Sequence, residues 1–389
     1  MKDADVVIVG GGIGGLTAAL ALLSMGQQVR VYEQSGALGE VGAGLTITPN
    51  ASRVLEFLGM RDWIRDTGCL PDRGVIRNWA SGEVLQVNTR REEIETRYGA
   101  PYFQVHRADL HAELAARVRA LEPRAIRLGD ACTGLAQRGD DACVRFATGA
   151  EIAADAVIGA DGVRSTLRTA LFGGEAPAYT GYVAYRGLVP AGALAGMSLD
   201  PASCLYLGPG RLFLRYLVRG GREVNFVSIA RADAWTAEGW AVPASTAELL
   251  AALEGWHADV RGIAGQVGAG TLFKWGLFAR GALDSWTVGR ATLLGDAAHP
   301  LLPFLGQGAV MAIEDAAVLA RAFAAADTVP EALARYERAR VGRANRVMAL
   351  SREGGLRLVS QATGAYTAGR FTSAGSLGLM DYDPLTIPV

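Results

Sequence analysis

Residues 6–9 read Val-Val-Ile-Val, an unbroken β-branched run that predicts a strand buried on both faces. Six residues of turn chemistry follow, Gly10-Gly11-Gly12-Ile13-Gly14-Gly15. Leu16 to Met25 is rich in Ala and Leu and predicts a helix, stopped by Gly26. Val29 to Tyr32 predicts a second strand, closed by Glu33, so residues 5–34 predict one βαβ unit. A helix is expected to start at Asn50 and stop at Gly59. From 71 to 100 the pattern alternates (Val75, Ile76, Trp79, Val84, Leu85, Val87), as strands of another layer would. Helical spacing returns over 107–121, with Leu110, Leu114, Val118 and Leu121 on one face. Short strands are predicted at 126–128 and 144–146, and a buried one at 156–159, ending in Asp161-Gly162. Residues 179–231 are strand-like throughout and predict the sheet of a second domain. A helix is expected at 245–255; strand, loop and long helix follow over 291–326, then helix from 327 to about 352.

A chain of 389 residues exceeds what one core usually serves, so two domains, interleaved along the sequence, are expected. Net charge is −1 with no acidic or basic blocks, which argues against nucleic acid or an anionic membrane as main partner. The four cysteines, Cys69, Cys132, Cys143 and Cys204, are scattered, so neither a disulfide framework nor a metal site is expected. The sequence runs directly into its first strand and has no apolar run of membrane-spanning length, so a cytoplasmic location without a transmembrane segment is expected.

Gly10, Gly12 and Gly15 satisfy G-x-G-x-x-G between strand and helix, with Gly14 inside the same turn. The first glycine permits the turn, the second lets a pyrophosphate approach the backbone, and the third lets helix and strand pack closely. Glu33, 21 positions after Gly12 (33 − 12), suits ribose hydroxyls. A second pattern lies near the other end. The apolar Leu293-Leu294 ends in Gly295-Asp296, a turn carries Pro303, and Gly306-Gln307-Gly308 leads into a helix. This offers a second set of backbone donors and one carboxylate. Two such patterns so far apart suggest one long cofactor gripped at both ends.

With Asp161-Gly162-Val163-Arg164-Ser165 between them, these patterns resemble the class A flavoprotein monooxygenases, over roughly residues 5–350. The resemblance implies an α/β fold: a Rossmann-like FAD-binding domain of the GR2 type, interleaved with a β-sheet substrate domain, plus C-terminal helices. The boundaries expected are 1–70, 101–178 and 272–350 for the FAD-binding domain, 71–100 and 179–271 for the substrate domain, and 351–389 for a tail. It implies tightly held FAD contacted by Asp161, Asp296, Pro303, Gly306, Gln307, Gly308 and Arg107, the last in His106-Arg107-Ala108-Asp109-Leu110. NADH or NADPH would bind transiently, since the chain has only one dinucleotide fingerprint. Gly42-Ala43-Gly44, Gly181 to Gly187 and Leu207 to Arg211 look most like salicylate, 3-hydroxybenzoate and 6-hydroxynicotinate hydroxylases, which adds Ala43 and Gly44 to the cofactor set.

The implied activity is hydroxylation of a small aromatic or heteroaromatic compound, with O2 as co-substrate and oxygen carried as a flavin C4a-hydroperoxide; a homodimer is compatible. One position departs from the pattern: relatives often place a histidine four residues before a tyrosine, but here Leu212 precedes Tyr216. Tyr216 and His299 are then the expected proton-handling residues. Arg186 and Arg215, with Tyr216, are the expected substrate contacts, because guanidinium matches a carboxylate bidentately. Two alternatives remain open at this point: a flavin monooxygenase or epoxidase acting on a non-aromatic substrate, and a flavin-free NAD-dependent dehydrogenase.

Overall fold

The computed structural model describes residues 3–39, 43–88, 91–139, 141–174, 176–235, 242–268, 270–359, 371 and 373–389. Gly42, and 360–370 of the expected tail, lie outside them. A central sheet runs in the order Thr287–Val288, Ala291–Leu293, Ala156–Gly159, Asp5–Val9, Gln28–Glu33, Ile126–Leu128. Every pairing is parallel except that of the edge strand Thr287–Val288. Val6, Val7, Ile8, Val157 and Ile158 are fully buried. Each such side chain contributes roughly 1.5–3 kcal/mol of burial, which explains why these runs carry no polar residue. Helix Ile13–Leu23 connects the first two strands and packs against helix Gly308–Ala325, itself covered by helix Val329–Leu358. Asp5–Val9, Ala156–Gly159 and Ala291–Leu293 are neighbours, so Gly10, Asp161 and Gly295 leave the sheet side by side at its carboxyl edge. That is the edge where open α/β sheets bind ligands.

The second sheet has eight strands, in the order Val242–Pro243, Phe273–Ala279, Ala178–Pro190, Glu223–Arg231, Arg211–Val218, Ser203–Gly208, Gly74–Asn78, Val84–Val87. Its pleat sorts alternate residues to two faces. The rear face packs Tyr185, Tyr206, Phe213 and Phe226 against Leu249, Val260 and Ile263 of helices Thr246–Ala252 and Ala258–Gly265. The front face carries Tyr182, Ala184, Leu212 and Val227, and meets Leu302 from the loop after Gly295-Asp296.

Two expectations are corrected here, for 91–98 and Leu121, and two are extended. Residues 91–98 form a helix, not a strand. Glu92 and Glu93 in its first turn and Arg97 in its last suit the helix dipole, and only Ile94 and Tyr98 are buried. The helix that begins with Pro49–Leu55 breaks at Gly59, as expected: Gly59 takes a non-helical φ of 79°, and a separate helix, Arg61–Thr67, follows the kink. The strand expected at 144–146 is present and starts earlier, as Asp141–Phe146, the middle of a three-stranded antiparallel sheet with Cys132–Arg138 and Glu151–Ala154. Leu121, placed on the buried helix face, is 52% exposed, while Leu110, Leu114 and Val118 are buried.

Candidate active site

Close approach dictates the glycines of the first turn. A Cβ on Gly10 (φ 107°) would lie 2.3 Å from the Ala160 carbonyl oxygen, and one on Gly15 only 2.0 Å from that of Gly10. Gly12 is different, since nothing stands within 4 Å of its missing Cβ. It is also the N-cap of helix Ile13–Leu23 and offers no side-chain cap, so the first helical N–H groups remain for a ligand. Gly14 packs on the second pattern, where its Cβ would come 2.8 Å from Leu294. The Glu33 carboxylate sits on the rim, accepting from the N–H groups of Gly11 (2.8 Å) and Ser35 (2.9 Å).

The Gly-Asp turn is held from behind. Leu294 N–H donates to the Gly159 carbonyl (2.8 Å), and Gly295 takes φ 61°. Gly295 and Ala297 are buried while Asp296 between them is exposed in the cleft. The protein walls around Asp296 still push its carboxyl pKa up, opposed by the charges of His299 and Arg107. Arg107 begins helix Arg107–Leu121, and its N–H donates to the Ala43 carbonyl (2.7 Å).

Asp161 does not present its carboxylate to this cleft as a direct ligand would. Its oxygens accept from the Ser165 hydroxyl (2.5 Å) and the N–H groups of Thr166 (2.8 Å) and Leu167 (3.2 Å), which caps helix Thr166–Phe172. Arg168 in that helix donates to the carbonyls of Ala297 (3.2 Å), Ala298 (2.9 Å) and Gly281 (2.7 Å). The Asp-Gly motif therefore braces the Gly-Asp turn.

The third segment closes over the cleft. Pro303–Leu305 forms a tight turn with Phe304 edge-on to Tyr182 of the front face (centroids 5.6 Å). Gly306 follows in the left-handed conformation (φ 64°), facing Thr46. Gln307 stands buried at the N-cap of the helix that begins at Gly308, and its Oε1 has no partner among the described residues. The strand Gly44–Ile47, paired with Phe103–His106, completes the wall, with Ala43 just before it. Gly44 N–H donates to Asn225 Oδ1 (2.7 Å), across to the eight-stranded sheet. A Cβ on Gly44 would lie 2.3 Å from Tyr216 Cε2. Gly44→Ala is expected to displace the Tyr216 ring and cut product formed per reduced nicotinamide consumed, with FAD retained; unchanged coupling would contradict this contact. Open space at Gly12, unused helix N–H groups, an exposed carboxylate and an unpartnered buried amide oxygen fit one long dinucleotide.

Tyr216 is buried on the front face, and burial raises its hydroxyl pKa against the opposing charge of Arg186. Arg186 shares that face and lies over the Trp275 ring (4.7 Å). Arg215 does not. One residue from Tyr216, it points to the rear, donating to the Leu199 (3.0 Å) and Pro201 (2.5 Å) carbonyls, and cannot share a ligand with Arg186. His299 is 1% exposed with Nε2 2.6 Å from Asp315 Oδ2, enclosed behind the Gly-Asp turn rather than facing a substrate. His111 Nε2 contacts the Gly11 carbonyl (2.7 Å), His106 meets Asp109 (3.1 Å), and His257 caps helix Ala258–Gly265. No histidine lies on the eight-stranded sheet, so none replaces the one absent at Leu212. No sequence motif marks Trp275, Asn225, Arg168 or Asp315. The first two could have been found by extending the front-face alternation along their strands.

The model of the FAD binding domain family matches residues 3–351. A 3-amino-4-hydroxybenzoate 2-monooxygenase of Streptomyces platensis is 39% identical over 90% of this chain and 87% of its own length. A 6-hydroxynicotinate 3-monooxygenase of Pseudomonas fluorescens is 37% identical over 90% of each chain. A salicylate hydroxylase solved as a substrate complex superposes with TM-score 0.81, at 25% identity, over 98% of this chain and 96% of that one. These matches set aside the flavin-free dehydrogenase and lend nothing to the non-aromatic epoxidase. The chain belongs to the FAD binding domain family and is one of its FAD-dependent monooxygenases.

Proposed function

We propose that this enzyme hydroxylates a small aromatic carboxylate bearing a hydroxyl or amino group, consuming NADH or NADPH and O2. The observation that carries this is the seat of Tyr216, on the sheet face shared with Arg186 and pressed against Gly44 of the cofactor wall. Bound FAD would supply the redox chemistry, linking oxidation of the nicotinamide to oxygen insertion into an electron-rich ring. The chain's own residues bind and orient. Arg186, braced on Trp275, pairs with the carboxylate. Tyr216 keeps its proton at neutral pH, because burial raises its pKa, so it donates to a ring oxygen rather than acting as base. Leu212, Val227 and Leu302 keep water from the ring. With no histidine on the sheet, the ring must bring its own electron density, as an ionised phenol or an amino substituent would. The relative named for an aminohydroxybenzoate supports this choice. Gly10, Gly12, Gly14, Gly15, Glu33, Ala43, Gly44, Arg107, Asp296, Pro303, Gly306, Gln307 and Gly308 form the cofactor wall of this proposal, with Asp161 acting from behind. Residues 1–70, 101–178 and 280–350 form its FAD-binding unit, and 71–100 with 179–279 its substrate unit; the boundary expected at 272 moves because the strand Phe273–Ala279 belongs to the eight-stranded sheet. All four cysteines are free, which supports a reducing cytoplasmic setting.

The test is NADH and NADPH oxidation by purified enzyme with 3-amino-4-hydroxybenzoate, 6-hydroxynicotinate, 3-hydroxybenzoate and salicylate, products identified by mass spectrometry. Hydroxylated product from at least one is expected; none from any would refute the substrate class. Tyr216→Phe is expected to divert reducing equivalents to hydrogen peroxide while FAD affinity stays within about twofold of wild type, since only one hydroxyl is lost. Unchanged coupling would remove Tyr216 from the mechanism.

A further inference from the structure

Behind the cleft lies a cluster of charges that the reaction does not use. Glu314, Asp315 and Arg340 have fully buried side chains. Arg340 donates from Nε to Asp315 Oδ1 (2.7 Å) and from its guanidinium to Glu314 Oε2 (2.6 Å). Arg343 donates to both Glu314 oxygens (2.7 and 2.6 Å). Burying ions costs several kcal/mol each, and replacing such a cluster by apolar residues is often neutral or stabilising. Stability alone therefore gives no reason for it.

Its outward bonds give one. Asp315 Oδ2 accepts the Gly295 N–H (3.0 Å) and faces His299 Nε2 (2.6 Å), while the His299 N–H donates to the Gly295 carbonyl (2.8 Å). Both ends of the turn carrying Asp296 are thus fixed to one carboxylate. Glu314 accepts from Asn50 Nδ2, and Asn50 Oδ1 accepts from Thr48, which directly follows the strand Gly44–Ile47. The two acids are adjacent on the helix that starts at Gly308, just after Gly306-Gln307. Three cofactor-facing segments, around 44–48, 295–299 and 306–308, therefore share one buried anchor.

We propose that Asp315, locked by Arg340, is a positioning residue that sets the Asp296 turn for FAD, the cluster acting as the common datum for the segments that hold the flavin. This rests on Asp296 contacting FAD. Asp315 acts through that contact and touches no reacting atom.

A double-mutant cycle on apoprotein tests it, with FAD affinity read by fluorescence titration and apoprotein melting recorded beside it. Asp296→Ala and Asp315→Asn are each expected to raise the Kd for FAD by about tenfold or more. In the Asp296→Ala background, Asp315→Asn should add less than about twofold, because the contact it positions is already gone. Full additivity would overturn the proposal and mark Asp315 as a general stabiliser. An unchanged Kd in Asp315→Asn with lowered melting would do the same. An unchanged Kd in Asp296→Ala alone would overturn the Asp296 contact itself, a separate failure. Should Asp315→Asn fail to fold, His299→Gln, which keeps an amide donor toward Asp315, enters the same cycle with the same expectation.

Discussion

Arg340→Leu is expected to lower folding stability by about 3–5 kcal/mol, the usual effect of removing one partner from a buried ion pair. The leucine fills part of the space but leaves Asp315 with only His299 to balance it, and Glu314 with only Arg343. Urea unfolding of the apoprotein measures this directly, and a loss below about 1 kcal/mol would contradict the assigned burial. The pH dependence has a definite sign. Burial tends to raise the Asp315 pKa, but His299 and Arg340 outweigh it and hold the carboxyl well below the ordinary carboxylate range. A depressed native pKa stabilises fully above the unfolded value of about 3.9, and that stabilisation is lost as pH falls below it. The wild type should therefore lose stability on acidification below about pH 4, and Arg340→Leu should lose less over the same interval.

Asp296→Ala is expected to purify without flavin at concentrations that saturate the wild type. A charge-assisted hydrogen bond contributes about 1.5–3 kcal/mol, equivalent to roughly 10- to 100-fold in Kd. Asp296 is the exposed member of a turn whose neighbours are buried, so alanine removes a cleft-facing acceptor together with the hydrogen bond it takes from the Leu301 backbone. Asp296→Asn keeps an acceptor oxygen and should fall between the two. Absorbance of the bound flavin checks both variants, and a fully yellow Asp296→Ala protein would dismiss this contact.

Where turn chemistry and period alone decide, the sequence was informative. Gly10 and Gly15 could be read because only glycine tolerates such close carbonyl oxygens, and the strand at 6–9 because a doubly covered strand excludes polar residues. Residues 91–98 misled because Arg-Glu-Glu-Ile-Glu-Thr-Arg-Tyr shows only two apolar positions, too few to display a helical period against the alternating strands before it. The side taken by Arg215 was within reach. Leu212, Leu214 and Tyr216 share a parity, and Arg211, Phe213 and Arg215 hold the other. For His299 and Asp161 the obstacle is different. Closeness in sequence to a ligand-binding motif does not say whether a side chain faces the ligand or the scaffold behind it. Glu314, Asp315 and Arg340 look like ordinary helix-surface charges, and only their meeting across two helices marks them as interior.

The front face of the eight-stranded sheet has a practical consequence for engineering. Ile76, Leu205, Leu212, Leu214 and Val227 line that face, yet none belongs to a segment that grips the dinucleotide. Each sits on a strand whose backbone is fixed by its neighbours on both sides. Randomising those five positions should therefore retune which rings are accepted while the redox machinery stays constant, making this scaffold a natural chassis for biocatalyst libraries.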